Sequence, residues 1–257
     1  MMARYQLILA YDGSRFAGFQ RQKPSRPTMT IQDLLEQALR SLGWKGEQVL
    51  YAGRTDRGVH ALGQVVAFDM EWSHPPQALQ AALNALLPSD LAVQAVMEVS
   101  PSFHPRYQAR GRCYRYRLYC AEVRYPMLER YAWRVFPTVD IEAMQNAAQR
   151  LVGSHDFRAF GTPLSARGST IREVHFAQWK AWQEDGLSTA WQFEIQANAF
   201  LYHMVRRLVA AMVAIGQGRL AMEQFDLALQ GDPNVIKAEL APAQGLTLMK
   251  VLYGETS

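Results

Sequence analysis

Two α+β lobes, each a ferredoxin-like split βαβ unit, are the fold this sequence predicts, and three observations predict it. The chain has 257 residues, 49% of them hydrophobic, enough to bury a core as one large domain or two small ones. Its first half reads in the order β, α, β, β, α, β. The second half repeats that order without any repeat of the residues themselves, so the pseudo-symmetry rests on element order alone. The lobes join near Pro105 to Arg110.

Each element has its own signal. Residues 4–11, "RYQLILAY", alternate and stop at Asp12-Gly13, as a strand entering a turn does. After the basic, proline-bearing break "QRQKPSRPTMT", Thr30 and Asp33 form a capping-box pattern. Ile31, Leu34, Leu35, Ala38, Leu39 and Leu42 follow at helical spacing, and Gly43 ends the helix. Extended segments are expected near 48–52 and 62–70, then a helix opened by Pro75-Pro76, then a strand over 91–99. The second half begins with "RCYRYRLYC", 112–120. It continues with an extended segment 131–136, a helix from Asp140 to Leu151, strands 171–180 and 189–198, a helix 200–215 and a strand 246–253.

Composition narrows the function. Lys and Arg number 27 against 23 Asp and Glu, a formal charge of +4 in keeping with a polyanionic partner. Cys113 and Cys120, if on one extended strand, lie roughly 20 Å apart, beyond disulfide reach, which reads as a reduced cytoplasmic protein. The N-terminus carries no long apolar signal region. The greasiest stretch, "LVAAMVAIG" at 208–216, is short of the roughly 20 residues a membrane span needs and reads as a buried helix. The six histidines show no paired short spacing, so no metal is expected. Phosphate-loop, dinucleotide and G-x-S-x-G signatures are missing.

What remains is arginines, aromatics and one exposed acid. Between 106 and 119 lie five arginines and four tyrosines, a mixture suited to cradling phosphates and stacking bases. On a strand, Arg112, Tyr114, Tyr116 and Leu118 point one way and Cys113, Arg115, Arg117 and Tyr119 the other. A tyrosine core face backed by a solvated arginine face would look the same. Arginines recur beside Gly, Ser, Thr, Pro or aromatics at 15, 21 and 26, at 158, 167 and 172, and at 206 and 207. In "GRTDRGVHALGQVVAF", 53–68, Asp56 sits among Gly53, Thr55 and Gly58, where the backbone can turn sharply and present a carboxylate at a strand end. Arg54 and Arg57 would keep it ionised, which suits nucleophilic or electrostatic work better than general-acid work. An Asx-turn aspartate capped by its own backbone is the competing reading. His60 offers a general base or ligand.

Six blocks in order, "YDGSRFAGFQRQ" at 11–22, "GRTDRGVHALGQVVAF", "FHPRYQARGRCYRY" at 103–116, "GSHDFRAF" at 153–160, "NAFLYHMVRRLV" at 198–209 and "APAQGLTL" at 241–248, resemble the TruA family of tRNA pseudouridine synthases from end to end. The resemblance implies a cofactor-free isomerase, homodimeric and cytoplasmic, that converts uridine to pseudouridine at positions 38, 39 and 40 of the tRNA anticodon stem-loop. It places the catalytic nucleophile on Asp56 and the uridine-pocket tyrosine on Tyr114. Arg54 and Arg206 fall on arginines in or near the active cleft, Arg206 as the ionic partner of the acid. RNA contact is implied for Phe103, His104, Pro105, Arg106 and Tyr107 and for Leu164, Ser165, Ala166, Arg167 and Gly168, and Arg110 and Arg112 join them as phosphate contacts. Pro105 stands where the family usually has alanine, and Cys113 where it often has arginine or lysine.

The whole-chain expectation is therefore two split βαβ lobes with mostly antiparallel sheets merging around a central cleft, residues 1–106 carrying the acid and 107–257 completing the cleft. The partners expected are tRNA and a second copy of the chain, with no membrane and no metal. Two other classes stay open on the residues alone. A non-catalytic RNA-binding protein needs no acid at 56. A cofactor-free glycosidic hydrolase needs a second acid, for which Asp12 and Asp69 are available.

Overall fold

The computed structural model describes residues 2–22, 29–163, 165, 168–183, 189–236 and 239–254. Lys23 and Arg26 of the first basic break, and Leu164, Ala166 and Arg167 of the loosely matched RNA-contact segment, lie outside the described residues. The chain divides into two compact units, Met1–Arg110 with Thr247–Ser257, and Gly111–Leu246.

In the first unit, β1 (Met2–Tyr11) alternates so that Tyr5, Leu7, Leu9 and Tyr11 are buried. Helix α1 (Ile31–Ser41) starts where the capping pattern puts it: the Thr30 hydroxyl accepts from Asp33 N–H at 3.2 Å and donates to the Asp33 carboxylate at 2.6 Å. Strands β2 (Leu50–Tyr51) and β3 (His60–Glu71), helix α2 (Pro76–Leu86) and strand β4 (Leu91–Val99) complete the β, α, β, β, α, β order. Strand β1 pairs antiparallel with both β3 and β4, and β2 pairs antiparallel with the far side of β3. The resulting order, β4-β1-β3-β2, is the split βαβ arrangement, in which each parallel-oriented pair joined by a helix encloses one other strand.

The outer edge of β3 is shared. Strand β2 takes its distal half through Leu50↔Ala67 and Tyr51↔Val66. The last strand, β10 (Leu246–Tyr253), takes its start in parallel through Thr247↔His60 and Leu248↔Ala61. With both halves of that edge paired, β3 is buried along most of its length. Gly63 makes the approach possible, because a Cβ there would lie 2.4 Å from the Met249 carbonyl oxygen.

The second unit contains β5 (Ala109–Cys120), β6 (Trp133–Val135), α3 (Ile141–Gln149), β7 (Gly153–Asp156), β8 (Ile171–Ala181), β9 (Ala190–Ala197), α4 (Met204–Gly216) and α5 (Met222–Leu229). Its strands run β5-β9-β8-β7, all antiparallel, with β6 parallel to the end of β5. Helix α3 is capped by Asp140, whose carboxylate accepts from Glu142 N–H at 2.9 Å and Ala143 N–H at 3.1 Å. The apolar run at 208–216 is the buried body of α4, which packs on α3. Strand β7 and helix α5 are elements for which the sequence reading gives no signal. No described helix is long and apolar enough to cross a membrane. Neither Cys113 nor Cys120 is in a disulfide.

Candidate active site

The 53–59 segment leaves β2 and turns into β3, and its residues alternate in role. Thr55 is buried and its hydroxyl lies 2.8 Å from the buried Tyr11 hydroxyl. Asp56 is half-buried, while Arg54 and Arg57 on either side of Thr55-Asp56 are exposed. The turn closes through backbone, Val59 N–H donating to the Asp56 carbonyl at 3.1 Å, and Gly58 takes φ 80° to allow it. Upstream, the Gln64 amide donates to the Gly53 carbonyl at 2.8 Å.

A second loop locks this one. Phe19 N–H donates to the Thr55 carbonyl at 3.1 Å. Gly18 has φ 106°, and a Cβ there would stand 2.8 Å from the same carbonyl oxygen and 3.3 Å from Arg57 N. Gly13 meets the loop at its other end: its N–H donates to His60 Nδ1 at 3.0 Å, and a Cβ would overlap the Val59 carbonyl at 2.1 Å. The "YDGSRFAGFQRQ" block thus shapes the carboxylate-bearing loop, a role that composition does not reveal but that its two glycines, read as close-approach residues, could have signalled.

His60 is 5% exposed, with Nδ1 held by Gly13 N–H and 3.2 Å from Asp12 Oδ1. That geometry makes it a strut of the loop, so the sequence-level option of base or ligand gives way to a supporting role. The two acids available to a hydrolytic alternative are engaged elsewhere. Asp69 takes both Nε and Nη2 of Arg4 at 2.7 and 2.6 Å, and the guanidinium holds its carboxyl below the usual range. Asp12 caps the following turn, accepting from Ser14 N–H at 3.0 Å and Ser14 Oγ at 2.6 Å. Among the described residues no group of three His, Cys, Asp or Glu is arranged to hold a metal.

The 103–107 segment is also in the first unit, but the structure does not bring it to Asp56. The acid's turn feeds the Tyr11↔Ala61 end of the β1–β3 pair, whereas Phe103 is bound at the Arg4↔Asp69 end. Seven residues of strand, roughly 23 Å, separate the two ends.

The second unit holds the other named residues. Tyr114 on β5 lies opposite Ile195, and its ring meets Phe200 edge-on with centroids 5.0 Å apart. Arg112 Nη1 donates to the Asn198 carbonyl at 3.2 Å. Arg206, on the first turn of α4, donates through Nε to the Ala241 carbonyl at 2.7 Å, and Ala241 N–H returns a bond to the Arg206 carbonyl at 3.3 Å. Tyr116 is fully buried and donates to the Pro242 carbonyl at 2.8 Å, burial holding its hydroxyl protonated well above the usual phenol range. The blocks at 112–116, 198–209 and 241–245 are therefore one packed assembly. Thr162 bridges Tyr202, which brings the 153–160 block's exit to the same place. Gly168 N–H donates to the Ser165 carbonyl at 2.9 Å.

On the other face of β5 the arginines are not freely solvated. Arg117 stacks over the Trp182 ring at 4.4 Å, and Arg115 lies opposite Glu194, its proton affinity lowered by burial and raised in part by that carboxylate.

A family model described as tRNA pseudouridine synthase matches residues 7–108 and 147–254 of this chain. Proteins named tRNA pseudouridine synthase A resemble it along nearly their whole length. That of Chloroflexus aurantiacus is 41% identical over 254 residues, covering 98% of this chain and 89% of that protein. Those of Limosilactobacillus fermentum and Neisseria meningitidis are 38% and 39% identical, each covering 98% of this chain and 96% and 92% of their own length. Read with the shaped loop around Asp56, this likeness places the chain in the tRNA pseudouridine synthase family, isomerases that convert uridine to pseudouridine.

Proposed function

We propose that this protein isomerises uridine to pseudouridine at positions 38, 39 and 40 of the tRNA anticodon stem-loop, as a cytoplasmic, cofactor-free homodimer with Asp56 as its nucleophile. The observation that carries the reading is the loop at 53–59: a half-buried carboxylate between exposed Arg54 and Arg57, on a turn pinned by buried Thr55 and by the close approach of Gly18. A carboxylate serving only as a turn cap needs no such scaffold.

The chemistry asks for little more. Uracil must leave ribose through nitrogen, rotate, and rejoin through carbon 5, from which a hydrogen is lost. An extruded base costs a few kcal/mol of stacking, which an aromatic ring and phosphate contacts offset. Tyr114, braced edge-on by Phe200, supplies the ring. Arg54 and Arg206 supply positive charge for the reaction, and the 103–107 and 164–168 segments with Arg110 and Arg112 supply contacts to the RNA. Asp56 acts by attack on ribose carbon 1′, by addition to uracil carbon 6, or by removing the 2′ proton to give a glycal.

Unmodified tRNA transcript tritiated at uracil carbon 5, incubated with the wild-type protein and with Asp56→Ala, tests the reading. Label released to water by wild type alone is expected, with Asp56→Ala retaining tRNA binding, because its chemistry belongs to the transition state and the phosphate contacts to the ground state. Release by the variant at a comparable rate would remove Asp56 from the chemistry. Binding with no release from either protein would leave an RNA-binding protein.

A further inference from the structure

The turn at 103–108 is organised around one imidazole. His104 Nδ1 accepts from Arg106 N–H at 3.2 Å and Tyr107 N–H at 3.4 Å, and the His104 ring lies against Tyr107 with centroids 4.2 Å apart. Gln108 N–H donates to the His104 carbonyl at 3.1 Å. These bonds give the turn its shape but do not attach it to anything.

Two side chains from opposite ends of the chain attach it. Arg4 on β1 donates through Nη1 to the Phe103 carbonyl at 2.9 Å. Its Nε and Nη2 each donate to one oxygen of Asp69. Tyr253, in β10, donates its hydroxyl to the Pro105 carbonyl at 2.8 Å, and its ring packs on Phe103 with centroids 5.2 Å apart. The clamped residues 103 and 105 are partly or fully buried, whereas Arg106 is exposed and Tyr107 is 77% exposed. Pro105 suits this arrangement, since a ring-fixed φ and a missing N–H leave its buried carbonyl as the one group needing a partner.

We infer that Arg4 and Tyr253 are positioning residues for RNA binding: they hold the Phe103 and Pro105 carbonyls so that Arg106 and Tyr107 are presented as a fixed cation and ring. The inference rests on the proposal that the 103–107 turn touches tRNA. Arg4 itself is neutralised by Asp69 and 18% exposed, so it serves the turn and not a phosphate. Because the turn lies roughly 23 Å of strand from the loop of Asp56, the clamp acts on binding and leaves the chemical step alone.

Tyr253→Phe keeps the ring and removes only the donor. Arg4→Lys keeps the charge beside Asp69 and removes the fork that reaches Phe103. Steady-state kinetics on unmodified tRNA transcript, repeated over a range of salt, and thermal melts would be measured for both, for Arg106→Ala, and for the Tyr253→Phe/Arg106→Ala pair. Arg106→Ala is expected to raise KM and to reduce the slope of log binding against log salt by about one. Tyr253→Phe and Arg4→Lys are each expected to raise KM about threefold to tenfold, the worth of one hydrogen bond, with kcat and the salt slope kept. In the double variant the rise in KM should be smaller than the product of the two single-variant rises, since the clamp has lost the cation it positions. If Arg106→Ala raises KM while both clamp variants match wild type, the inference falls and the turn remains an RNA contact. If Arg106→Ala changes neither KM nor the salt slope, the RNA-contact reading of the turn falls, and the inference with it.

Discussion

The carboxylate proposed to react, Asp56, has to be held by neighbours that do not, and here the neighbours are glycines. Gly18, at φ 106° with its missing Cβ 2.8 Å from the Thr55 carbonyl, admits no side chain without moving the residues that flank Asp56. Gly18→Ala should cost about 1–3 kcal/mol in denaturant unfolding from the left-handed backbone and the clash, and lower kcat about tenfold by shifting the 55–57 backbone. A variant with wild-type stability and turnover would show that the loop does not depend on this contact. His104 makes a pH-dependent counterpart. Burial first, then the nearby Arg4 and Arg106 charges, lower its proton affinity below the ordinary 6.5, against a backbone bond that raises it. The folded turn therefore favours the neutral ring, so its stabilisation is complete above about 6.5 and is lost as pH falls through the lower folded value. A protonated Nδ1 can no longer accept from Arg106 and Tyr107 N–H. The KM for tRNA should rise on acidification through that range, with Asp69 still neutralising Arg4, and His104→Gln should remove the rise. A wild-type KM that does not rise on acidification below 6.5 at any pH where the protein stays folded would contradict it.

At the scale of elements, the most demanding residue is Glu36 on α1. Its side chain is fully buried, yet it pairs with Arg21 and with Arg40, accepts from the Gln32 amide at 2.8 Å, and accepts from Val49 N–H at 3.1 Å. One carboxylate thus ties the end of the N-terminal loop, two turns of helix and the approach to β2. Glu36→Ala should destabilise the protein by about 2–4 kcal/mol, because it strands the Val49 N–H and leaves two guanidinium groups facing each other. A thermal melt reads this directly, and a loss under 1 kcal/mol would demote the network to surface pairing. Nothing in the heptad-like spacing of α1 announces Glu36 as buried. The elements themselves were more legible: Thr30 and Asp140 cap where side-chain chemistry says they should, and β4 and the body of α4 follow from their apolar patterns. Two elements carried no such mark. Strand β7 is four residues, "GSHD", entered through Gly153 at φ 110°, and it is a strand only because β8 offers an edge. Helix α5 starts at Ala221, which has no side chain to cap with, so only the reciprocal Gln224 bond to its N–H marks the start.

Across the full chain, local pattern suffices for the α+β class, the order of most elements, the two faces of β5 and the six blocks that lead to Asp56 and Tyr114. Each of these is written in local spacing, in the period of two or of 3.6, or in a short motif, and needs no knowledge of what lies far along the chain. The tertiary structure alone decided three other matters. It placed β10 against the start of β3 and so grouped Thr247 onward with the first unit. It turned His60 from a candidate reagent into the strut of Gly13. It also joined Arg4 and Tyr253 to the 103–105 carbonyls across sequence separations of 99 and 148 residues. The physical reason is common to all three. A hydrogen bond between distant residues leaves no periodic trace in either partner, so it exists only once folding has brought a donor and an acceptor within reach.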